Sequence, residues 1–294
     1  MKTAMTTTRT TFVERDLTRY LILGLARTGT TVLHLSVMGH PNVSALSDEI
    51  PVQPFFGRGL STFTFGNEFE QEKERGHLVL FDAITSITAT AQTTAIGAKT
   101  VAHTCEQAHI IVDALQKHLP GIKVVLTLRN DMVAQYGSLR GARATGAWHS
   151  WYRNIEDNRQ QKMRINRSLF TRAALHWLDS LRVLRRLHDS HDVHEWRYEN
   201  FMADREASVR GVFRFLGLPN AEIAPLKSEK VKPPPQQYIH NYTRMAAFAE
   251  ILAQRHKQNT VPVRARIISA FIERASRCCH GAKRIGASLI TGQS

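Results

Sequence analysis

The chain has 294 residues, of which 43% are hydrophobic and 22% are charged, so it can bury a sizeable core and is not disordered throughout. It carries 39 Lys and Arg against 25 Asp and Glu, and the resulting net charge of +14 indicates an anionic partner. Its 3 cysteines fit neither a disulfide framework nor a zinc motif, and no apolar run is long enough to cross a membrane. These features predict a cytoplasmic protein, with membrane association left open.

Residues 1–16 are rich in Thr and lack an apolar stretch, which predicts a disordered tail rather than a secretion signal. The first ordered stretch begins as an apolar, β-prone run at Tyr20, turns at Gly24 and Gly29, and continues as an amphipathic helix. A helix that follows such a turn presents free N–H groups and the positive end of its dipole to an anion. The spacing is that of the phosphate-binding loop G-x-x-x-x-G-K-S/T, with Thr30 in place of the lysine.

The loop offers one fixed cation, Arg27, and the hydroxyl groups of Thr28, Thr30 and Thr31. A metal-dependent phosphate loop uses its lysine on the β- and γ-phosphates, and that lysine is missing here. These residue types suit an anion that is held without metal. Taken alone, the loop is equally typical of a strand–helix turn in any α/β protein.

A glycine and a proline end the first helix at residues 39–41, and residues 43–46 are predicted to form a second strand. This strand would bring Asp48 and Glu49 to its carboxyl end, where ligands bind in open α/β sheets. Residues 51–94 are predicted to form an irregular lid or an acceptor-side insertion, although residues 78–94 are also compatible with a helix.

Strands and helices alternate through the middle of the chain: a strand at 95–101, a helix at 105–119 and a strand at 122–128. This alternation predicts a P-loop-like parallel sheet with helices on both faces. The last of these strands runs directly into Arg129, and Ser138 lies nine residues further on, within the next helix. Both side chains can face one phosphate beside the first loop, although each alone is typical of a surface residue.

The remaining chain is mostly helical. The pattern predicts helices at 168–188, 204–216, 241–257 and 263–281, a strand at 193–198 and an extended basic loop at 227–238. Residues 17–240 are therefore expected to form one α/β domain, with C-terminal helices at 241–294 packed on it or extending it. The last helix has a basic face that either lies in solvent over a packed apolar face or contacts an anionic membrane.

Four segments resemble PAPS-dependent sulfotransferases, where PAPS is 3′-phosphoadenosine 5′-phosphosulfate. Residues 23–31, followed by a His-Pro pair, look like the 5′-phosphosulfate loop of that family. Residues 128–139 resemble the 3′-phosphate segment of its bacterial trehalose-sulfotransferase-like branch, and residues 196–201 and 215–219 are similar to later motifs. The segments span residues 19–219 in family order, so the resemblance implies the sulfotransferase fold.

The resemblance also implies how the donor is bound, with adenosine 3′,5′-bisphosphate as the product and no metal. The residues implied for the 5′-phosphosulfate are Arg27, Thr28, Gly29, Thr30 and Thr31. Arg129 and Ser138 are implied for the 3′-phosphate.

The implied catalytic groups are Arg27, Lys99 and a carboxylate. Lys99 matches a lysine that family members place near the sulfuryl group, and the family's general base is usually a glutamate beyond the His-Pro pair. Asp48 and Glu49 lie 21 and 22 residues after Arg27, and either spacing occurs in related branches. The longer arm of Glu49 favours it as the base, and His103, four residues after Lys99, is the alternative.

The predicted function is therefore transfer of a sulfuryl group from PAPS to a hydroxyl group of a carbohydrate, a glycolipid or another small metabolite. One alternative is a P-loop kinase of small molecules, which the missing lysine disfavours. Another is a basic nucleic-acid-binding protein, which the scattered charge disfavours, so no nucleic-acid partner is expected. A homodimer and a peripheral membrane contact through the last helix are left open.

Overall fold

A computed structural model describes residues 16–50, 79–146, 162–225 and 234–259. Residues 1–15 of the predicted tail, most of the predicted lid, residues 227–233 of the predicted basic loop and the predicted helix at 263–281 lie outside these residues. None of the helices in the described ranges has the length and apolar character that a membrane span requires.

Five parallel strands form the sheet, as the alternation of strands and helices predicted. They are β1 (Thr18–Leu25), β2 (Val43–Glu49), β3 (Ala95–Ala102), β4 (Lys123–Leu128) and β5 (Val193–Arg197). The order across the sheet is β2-β3-β1-β4-β5, so β1 is central and its loop lies between the ends of β3 and β4. Because all strands are parallel, their carboxyl ends meet at one edge of the sheet.

Eight helices connect or follow the strands in the described part of the chain, in addition to a short helical segment at 79–85. They are α1 (Thr30–Met38), α2 (Cys105–His118), α3 (Met132–Thr145), α4 (Arg167–Leu184), α5 (Tyr198–Ala203), α6 (Arg205–Leu216), α7 (Pro235–Tyr238) and α8 (Tyr242–Lys257). The helix α8 confirms a helical region after the sheet, packed against α3 and α4.

The alternating side chains of β1 build a separate core on each face of the sheet. Leu21 and Leu23 point into a core that α2, α3, α4 and α8 cover. Tyr20 and Ile22 point the opposite way, against residues of α1 and α6. Since successive strand residues face opposite sides, a fully apolar strand has to be covered on both faces. Because helices pack on both faces of the sheet, the position of β1 is fixed, and so is the start of the loop that follows it.

The structure corrects the prediction of a helix at 78–94, because the helix there ends by residue 85. The chain beyond it is rich in Thr, and the Thr93 hydroxyl accepts a 2.9 Å hydrogen bond from the backbone N–H of Thr90. Thr side chains that bond to nearby backbone groups compete with helix formation. The side chain of Asn42 also donates to the Gln92 carbonyl at 2.7 Å, which fixes this segment against the start of β2.

Two further boundaries differ from the predictions. The predicted helix at 168–188 corresponds to α4, which ends at Leu184 and is followed by a 3₁₀ helix over Arg185–Asp189. The predicted strand at 193–198 ends at Arg197, and Tyr198 begins α5. Within the predicted extended loop, Pro235–Tyr238 form the short helix α7, whose first turn tolerates proline because the missing N–H is not needed there.

Candidate active site

The loop between β1 and α1 has two residues with positive φ, Arg27 at 69° and Gly29 at 94°. This backbone conformation costs a residue with a side chain about 1–2 kcal/mol, whereas glycine adopts it freely. Gly29 is the N-cap of α1, no side chain caps the helix there, and its first turn contains no acidic residue. The N-terminus of α1 therefore keeps its N–H groups and the positive end of its dipole for an anion.

Hydrogen bonds within the loop and to β4 and α3 fix the shape of this loop. The buried Thr28 hydroxyl donates to the Leu25 carbonyl at 2.8 Å and lies 2.8 Å from the Thr127 hydroxyl on β4. Gln135 of α3 donates to the Ala26 carbonyl at 2.8 Å. A Cβ atom at Gly24 would lie 2.0 Å from Thr127 Oγ1, so only glycine leaves room for this bonding. The Thr28 side chain is thus turned into the loop, and its hydroxyl holds the loop's shape.

Arg27, Arg129 and Ser138 meet above the loop. Arg27 Nε donates to Ser138 Oγ at 3.0 Å, and Arg129 Nη1 donates to the Arg27 carbonyl at 3.2 Å. The Arg129 guanidinium also lies over the Tyr198 ring, 4.6 Å from its centre, which is a favourable cation–π arrangement. The two phosphate-type segments that the sequence predicted at adjacent strand ends are therefore in direct contact.

The electrostatics of this cluster favour an anion. Burial lowers the pKa of Arg27, and the charge of Arg129 lowers it further. Arg129 Nε is buried and has no hydrogen-bond partner in the described part of the chain. A buried donor on a charged group is costly to leave unpaired, and an oxyanion would satisfy it and offset the repulsion between the two guanidinium groups.

Sequence reasoning missed two tyrosines beside these arginines. Tyr198 comes from the start of α5, and its ring would also be 2.7 Å from a Cβ atom at Gly29. Tyr238 comes from α7, acts electrostatically on Arg27, and has a pKa raised by burial to about 12. Both belong to segments far away in sequence, so no local pattern connects them with the loop.

The turn that carries Arg129 is held by Glu199, the glutamate within the resemblance at 196–201. Its Oε1 atom accepts hydrogen bonds from the backbone N–H groups of Asn130 at 3.1 Å and Asp131 at 3.2 Å. Asp131 in turn caps α3 by accepting from the N–H of Ala134 at 2.8 Å. These bonds fix the direction in which Arg129 leaves β4, and they give this motif a positioning role.

A second group of polar residues lies at the carboxyl ends of β2 and β3. Lys99 Nζ lies 3.3 Å from Glu49 Oε2, and His103 Nε2 lies 3.6 Å from Glu49 Oε1. The side chain of Lys99 is only 7% exposed, against 35% for Glu49 and 46% for His103. The lysine therefore lies at the bottom of the group, and the carboxylate and the imidazole face outward.

The shape of β2 selects Glu49 over Asp48 for this position. The register between β2 and β3 shifts between Ala45 and Glu49, and after the shift Glu49 pairs directly with Lys99. Asp48 is exposed, whereas Glu49 is half-buried beside Lys99 and His103. The structure thus brings Glu49, Lys99 and His103 together and leaves Asp48 apart from them.

Glu49 is held in its ionised form. Burial raises the pKa of its carboxyl group, but the contact with His103 and the positive charge of Lys99 outweigh this effect and lower the pKa below its ordinary value. His103 is itself fixed through its backbone N–H, which donates to Gln107 Oε1 at 2.7 Å within the capping box of α2. The carboxylate can therefore accept a proton across the physiological pH range.

His34 connects α1 to β2 behind this group. Its Nε2 atom lies 2.6 Å from the Leu46 carbonyl, which can only accept, so this nitrogen carries the proton. The side chain is fully buried, and burial lowers its pKa to about 4, with the charge of Lys99 acting in the same direction. A neutral His34 thus fixes the position of β2 relative to the helix that follows the loop.

Parallel strands with helices on both faces, and a phosphate-type loop after the central strand, are typical of α/β proteins that bind anions at the carboxyl edge of the sheet. A sequence profile of the sulfotransferase family matches residues 20–222. The chain belongs to the sulfotransferase family, as its motifs predicted, and it is therefore a transferase. The match does not distinguish between branches of the family, so the trehalose-type branch stays a prediction.

Several solved sulfotransferase structures are similar to the chain, among them the following three. A sulfotransferase from Alicyclobacillus acidocaldarius is 17% identical, with a TM-score of 0.44 over 85% of this chain and 98% of that chain. The sulfotransferase domain of the Synechococcus PCC 7002 olefin synthase is 15% identical, with a TM-score of 0.44 over 83% and 96%. A sulfotransferase domain from the curacin biosynthetic pathway is 14% identical, with a TM-score of 0.42 over 88% and 98%. No curated protein sequence matches the chain significantly.

Proposed function

We propose that the protein transfers the sulfuryl group of PAPS to the hydroxyl group of an acceptor and releases adenosine 3′,5′-bisphosphate. Membership of the sulfotransferase family supports the reaction class. The observation that carries the choice of donor is the buried Nε of Arg129, which none of the described residues pairs, beside Arg27 at the start of α1. This cluster suits a nucleotide that carries one anionic group at its 3′ position and another at its 5′ position, as PAPS does.

In this proposal the loop binds the 5′-phosphosulfate through its N–H groups, Arg27, Thr30 and Thr31. Arg129 and Ser138 bind the 3′-phosphate. Thr28 and Gly29 contribute differently: the Thr28 hydroxyl holds the loop in shape, and Gly29 supplies the backbone conformation at the helix start. Two anionic ends held by two protein segments fix the nucleotide without the lysine of an ATP-binding loop.

Sulfuryl transfer, like phosphoryl transfer, has a loose in-line transition state, so catalysis depends on positioning and on stabilising charge. Negative charge develops on the departing 5′-phosphate, where Arg27, Lys99 and the N–H groups at the start of α1 can stabilise it. Removing one such donor typically lowers the rate by a factor on the order of 10²–10³. The buried position of Lys99 strengthens its effect, because little water screens its charge.

Glu49 is the proposed general base. The acceptor's O–S bond forms as the bond from sulfur to the phosphate oxygen breaks, and the acceptor proton passes to the Glu49 carboxylate. A loose transition state needs only late proton removal, so a carboxylate with a lowered pKa is adequate. His103 contacts the other oxygen of Glu49 and is half-exposed, so it is the proposed partner that orients the carboxylate and takes the proton on to solvent.

The proposed acceptor is a carbohydrate, a glycolipid or another small metabolite with a free hydroxyl group. The resemblance of residues 128–139 to the trehalose-type branch supports the carbohydrate. A groove at the end of β2 gives such a molecule access to the base, and it is lined by Leu46, Ser47, Asp48, Glu49, Ile50, Val79 and Ala83. A small-molecule kinase is not favoured, because Thr30 replaces the phosphate-loop lysine and the family is that of sulfotransferases.

The test follows both halves of the reaction. The protein is incubated with PAPS that carries radiolabelled sulfate and with fractionated carbohydrate and lipid extracts, and labelled products are separated. Binding of adenosine 3′,5′-bisphosphate is compared with binding of ATP with magnesium and of an oligonucleotide by thermal shift. The proposal predicts a stabilising shift with the bisphosphate alone. A larger shift with magnesium-ATP, or undiminished transfer in both Arg27→Ala and Arg129→Ala, contradicts it.

A further inference from the structure

The hydroxyl group of Tyr242, the first residue of α8, contacts the turn that carries Arg129. It donates a 2.8 Å hydrogen bond to Asp131 Oδ2 across 111 residues of chain. The other oxygen of this carboxylate, Oδ1, accepts from the N–H of Ala134 and caps α3. Burial and the bond to Asp131 raise the pKa of Tyr242 to about 12, so its hydroxyl stays protonated and remains a donor. Both oxygens of Asp131 are therefore bound by donors other than Arg129.

The chain just before Tyr242 is fixed on two sides. On one side, Ile239 at the end of α7 packs against α3 at Gly137, where an added Cβ atom would lie 2.8 Å from Ile239 Cδ1. On the other side, the Asn241 side chain exchanges two 2.9 Å hydrogen bonds with the backbone of Ile165, one with its N–H and one with its carbonyl. These contacts hold the start of α8 against α3, so the hydroxyl is positioned at Asp131 before any ligand binds.

Asp131 is the carboxylate closest to Arg129 along the chain. The two Cα atoms are two residues apart and thus at most about 7 Å from each other, a distance that the two side chains can bridge. Their hydrogen bonds direct them differently, however. Arg129 Nη1 donates to the Arg27 carbonyl at 3.2 Å in the loop, whereas the carboxylate is bound by α8 and by the first turn of α3. An ion pair between the two would occupy the guanidinium that an anionic ligand needs.

We infer that Tyr242 is a positioning residue of the donor site, which binds Asp131 Oδ2 and thereby keeps the carboxylate away from Arg129. The guanidinium is then left for the 3′-phosphate, so the inference rests on the proposed function. Without the hydroxyl, Oδ2 would lose its donor close to a guanidinium whose buried Nε has no partner among the described residues. An ion pair would satisfy both groups. The 3′-phosphate would then have to displace the carboxylate, which lowers the affinity for the nucleotide.

Isothermal calorimetry with adenosine 3′,5′-bisphosphate tests the inference in a double-mutant cycle of Tyr242→Phe and Asp131→Asn. Tyr242→Phe is expected to weaken binding about tenfold, and to change the binding of adenosine 5′-phosphate much less. In the background of Asp131→Asn, Tyr242→Phe should have little effect, because asparagine also caps a helix but carries no charge that competes for Arg129. The matched control is Tyr136→Phe, since this ring packs against Phe170 of α4 with ring centres 5.6 Å apart, and it should bind like the wild type.

A purely structural role of Tyr242 predicts a different pattern. Tyr242→Phe would then weaken the binding of both nucleotides alike, and by the same factor with and without Asp131→Asn, because an asparagine side chain can also bond to the tyrosine hydroxyl. Either result overturns the inference, as does wild-type affinity in Tyr242→Phe. All proteins are measured below their Tm, so that a loss of binding does not reflect unfolding. A wild-type protein that fails to bind the bisphosphate overturns the proposed function as well.

Discussion

Arg27 Nε donates a 3.0 Å hydrogen bond to Ser138 Oγ across 111 residues of chain. The sequence assigned these two side chains to opposite ends of the donor nucleotide. Their contact means that the loop after β1 and the helix α3 act as one unit, to which Gln135 adds a second link. In such a unit the binding groups are positioned before the ligand arrives, which reduces the entropy that binding has to overcome.

Arg129→Gln is expected to weaken the binding of adenosine 3′,5′-bisphosphate about ten- to a hundredfold, because a charge-assisted hydrogen bond is lost in a buried site. Binding of adenosine 5′-phosphate, which lacks the 3′-phosphate, should change much less. Isothermal calorimetry with both nucleotides measures the difference. Arg186→Gln, which removes an exposed charge, serves as the control. An equal loss for the two nucleotides would show that Arg129 does not bind the 3′-phosphate.

Gly29→Ala tests the conformation of the loop. The substitution places a methyl group 2.7 Å from the Tyr198 ring and 3.1 Å from Trp196, at a φ of 94°. Gly121→Ala is a matched control, because Gly121 has a φ of 81° and an added Cβ there meets nothing within 4 Å. Both variants carry strain of about 1–2 kcal/mol, but only Gly29→Ala should also displace aromatic rings.

Chemical denaturation and nucleotide binding together measure this effect. Gly29→Ala is expected to lower the free energy of unfolding by more than Gly121→Ala does, and to abolish binding of the bisphosphate. Gly121→Ala should keep full binding despite its loss of stability. If the two variants lost the same stability and both bound normally, the close approach of Tyr198 to the loop would have no role in the site.

The sequence predicted the fold and the loop because their signals are local. An apolar strand, two glycines and an amphipathic segment stand within about twenty residues, and Arg129 directly follows the most apolar strand. The groups that complete the site come from far away in the chain. Tyr198 and Tyr238 reach Arg27 and Arg129 only through tertiary packing. No periodicity or spacing indicates such a contact.

The choice between Asp48 and Glu49 shows a second limit. The two carboxylates are neighbours at the end of β2, so a shift of one residue in strand register would exchange which of them pairs with Lys99. That register depends on the irregularity between Ala45 and Glu49, which only the pairing with β3 shows. In the sequence, the longer side chain of Glu49 was the reason to prefer it as the base. In the structure, the reason is that strand pairing places Glu49 beside Lys99 and His103.

Glu49→Gln is expected to lower kcat by a factor of about 10²–10⁴, because the general base is lost. Asp48→Asn, which changes the neighbouring exposed carboxylate in the same way, should leave kcat close to that of the wild type. Since the pKa of Glu49 lies below its ordinary value of 4.5, the wild-type rate should fall with acid only below that pH. Sulfate transfer measured across pH checks both expectations, and a larger loss in Asp48→Asn would assign the base to Asp48.

His103→Gln separates the two roles proposed for the histidine. If His103 orients Glu49 and passes its proton to solvent, kcat should fall by less than in Glu49→Gln, and imidazole in the buffer should restore part of it. If His103 were itself the base, its loss would match that of Glu49→Gln, since the carboxylate would then only orient the ring. Transfer rates at increasing imidazole concentration and constant pH distinguish these outcomes.

His34 should make the stability of the protein depend on pH. Its pKa is about 4 in the folded protein against an ordinary 6.5, so between these values the unfolded chain binds the proton more readily. Stability should therefore be full above 6.5 and fall as the pH decreases towards 4, by about 3 kcal/mol in total. Denaturation midpoints across this range measure the effect. His34→Gln should flatten the dependence, whereas His109→Gln, at an exposed position of α2, should leave it unchanged. An equally steep dependence in His34→Gln would assign the acid sensitivity to other groups.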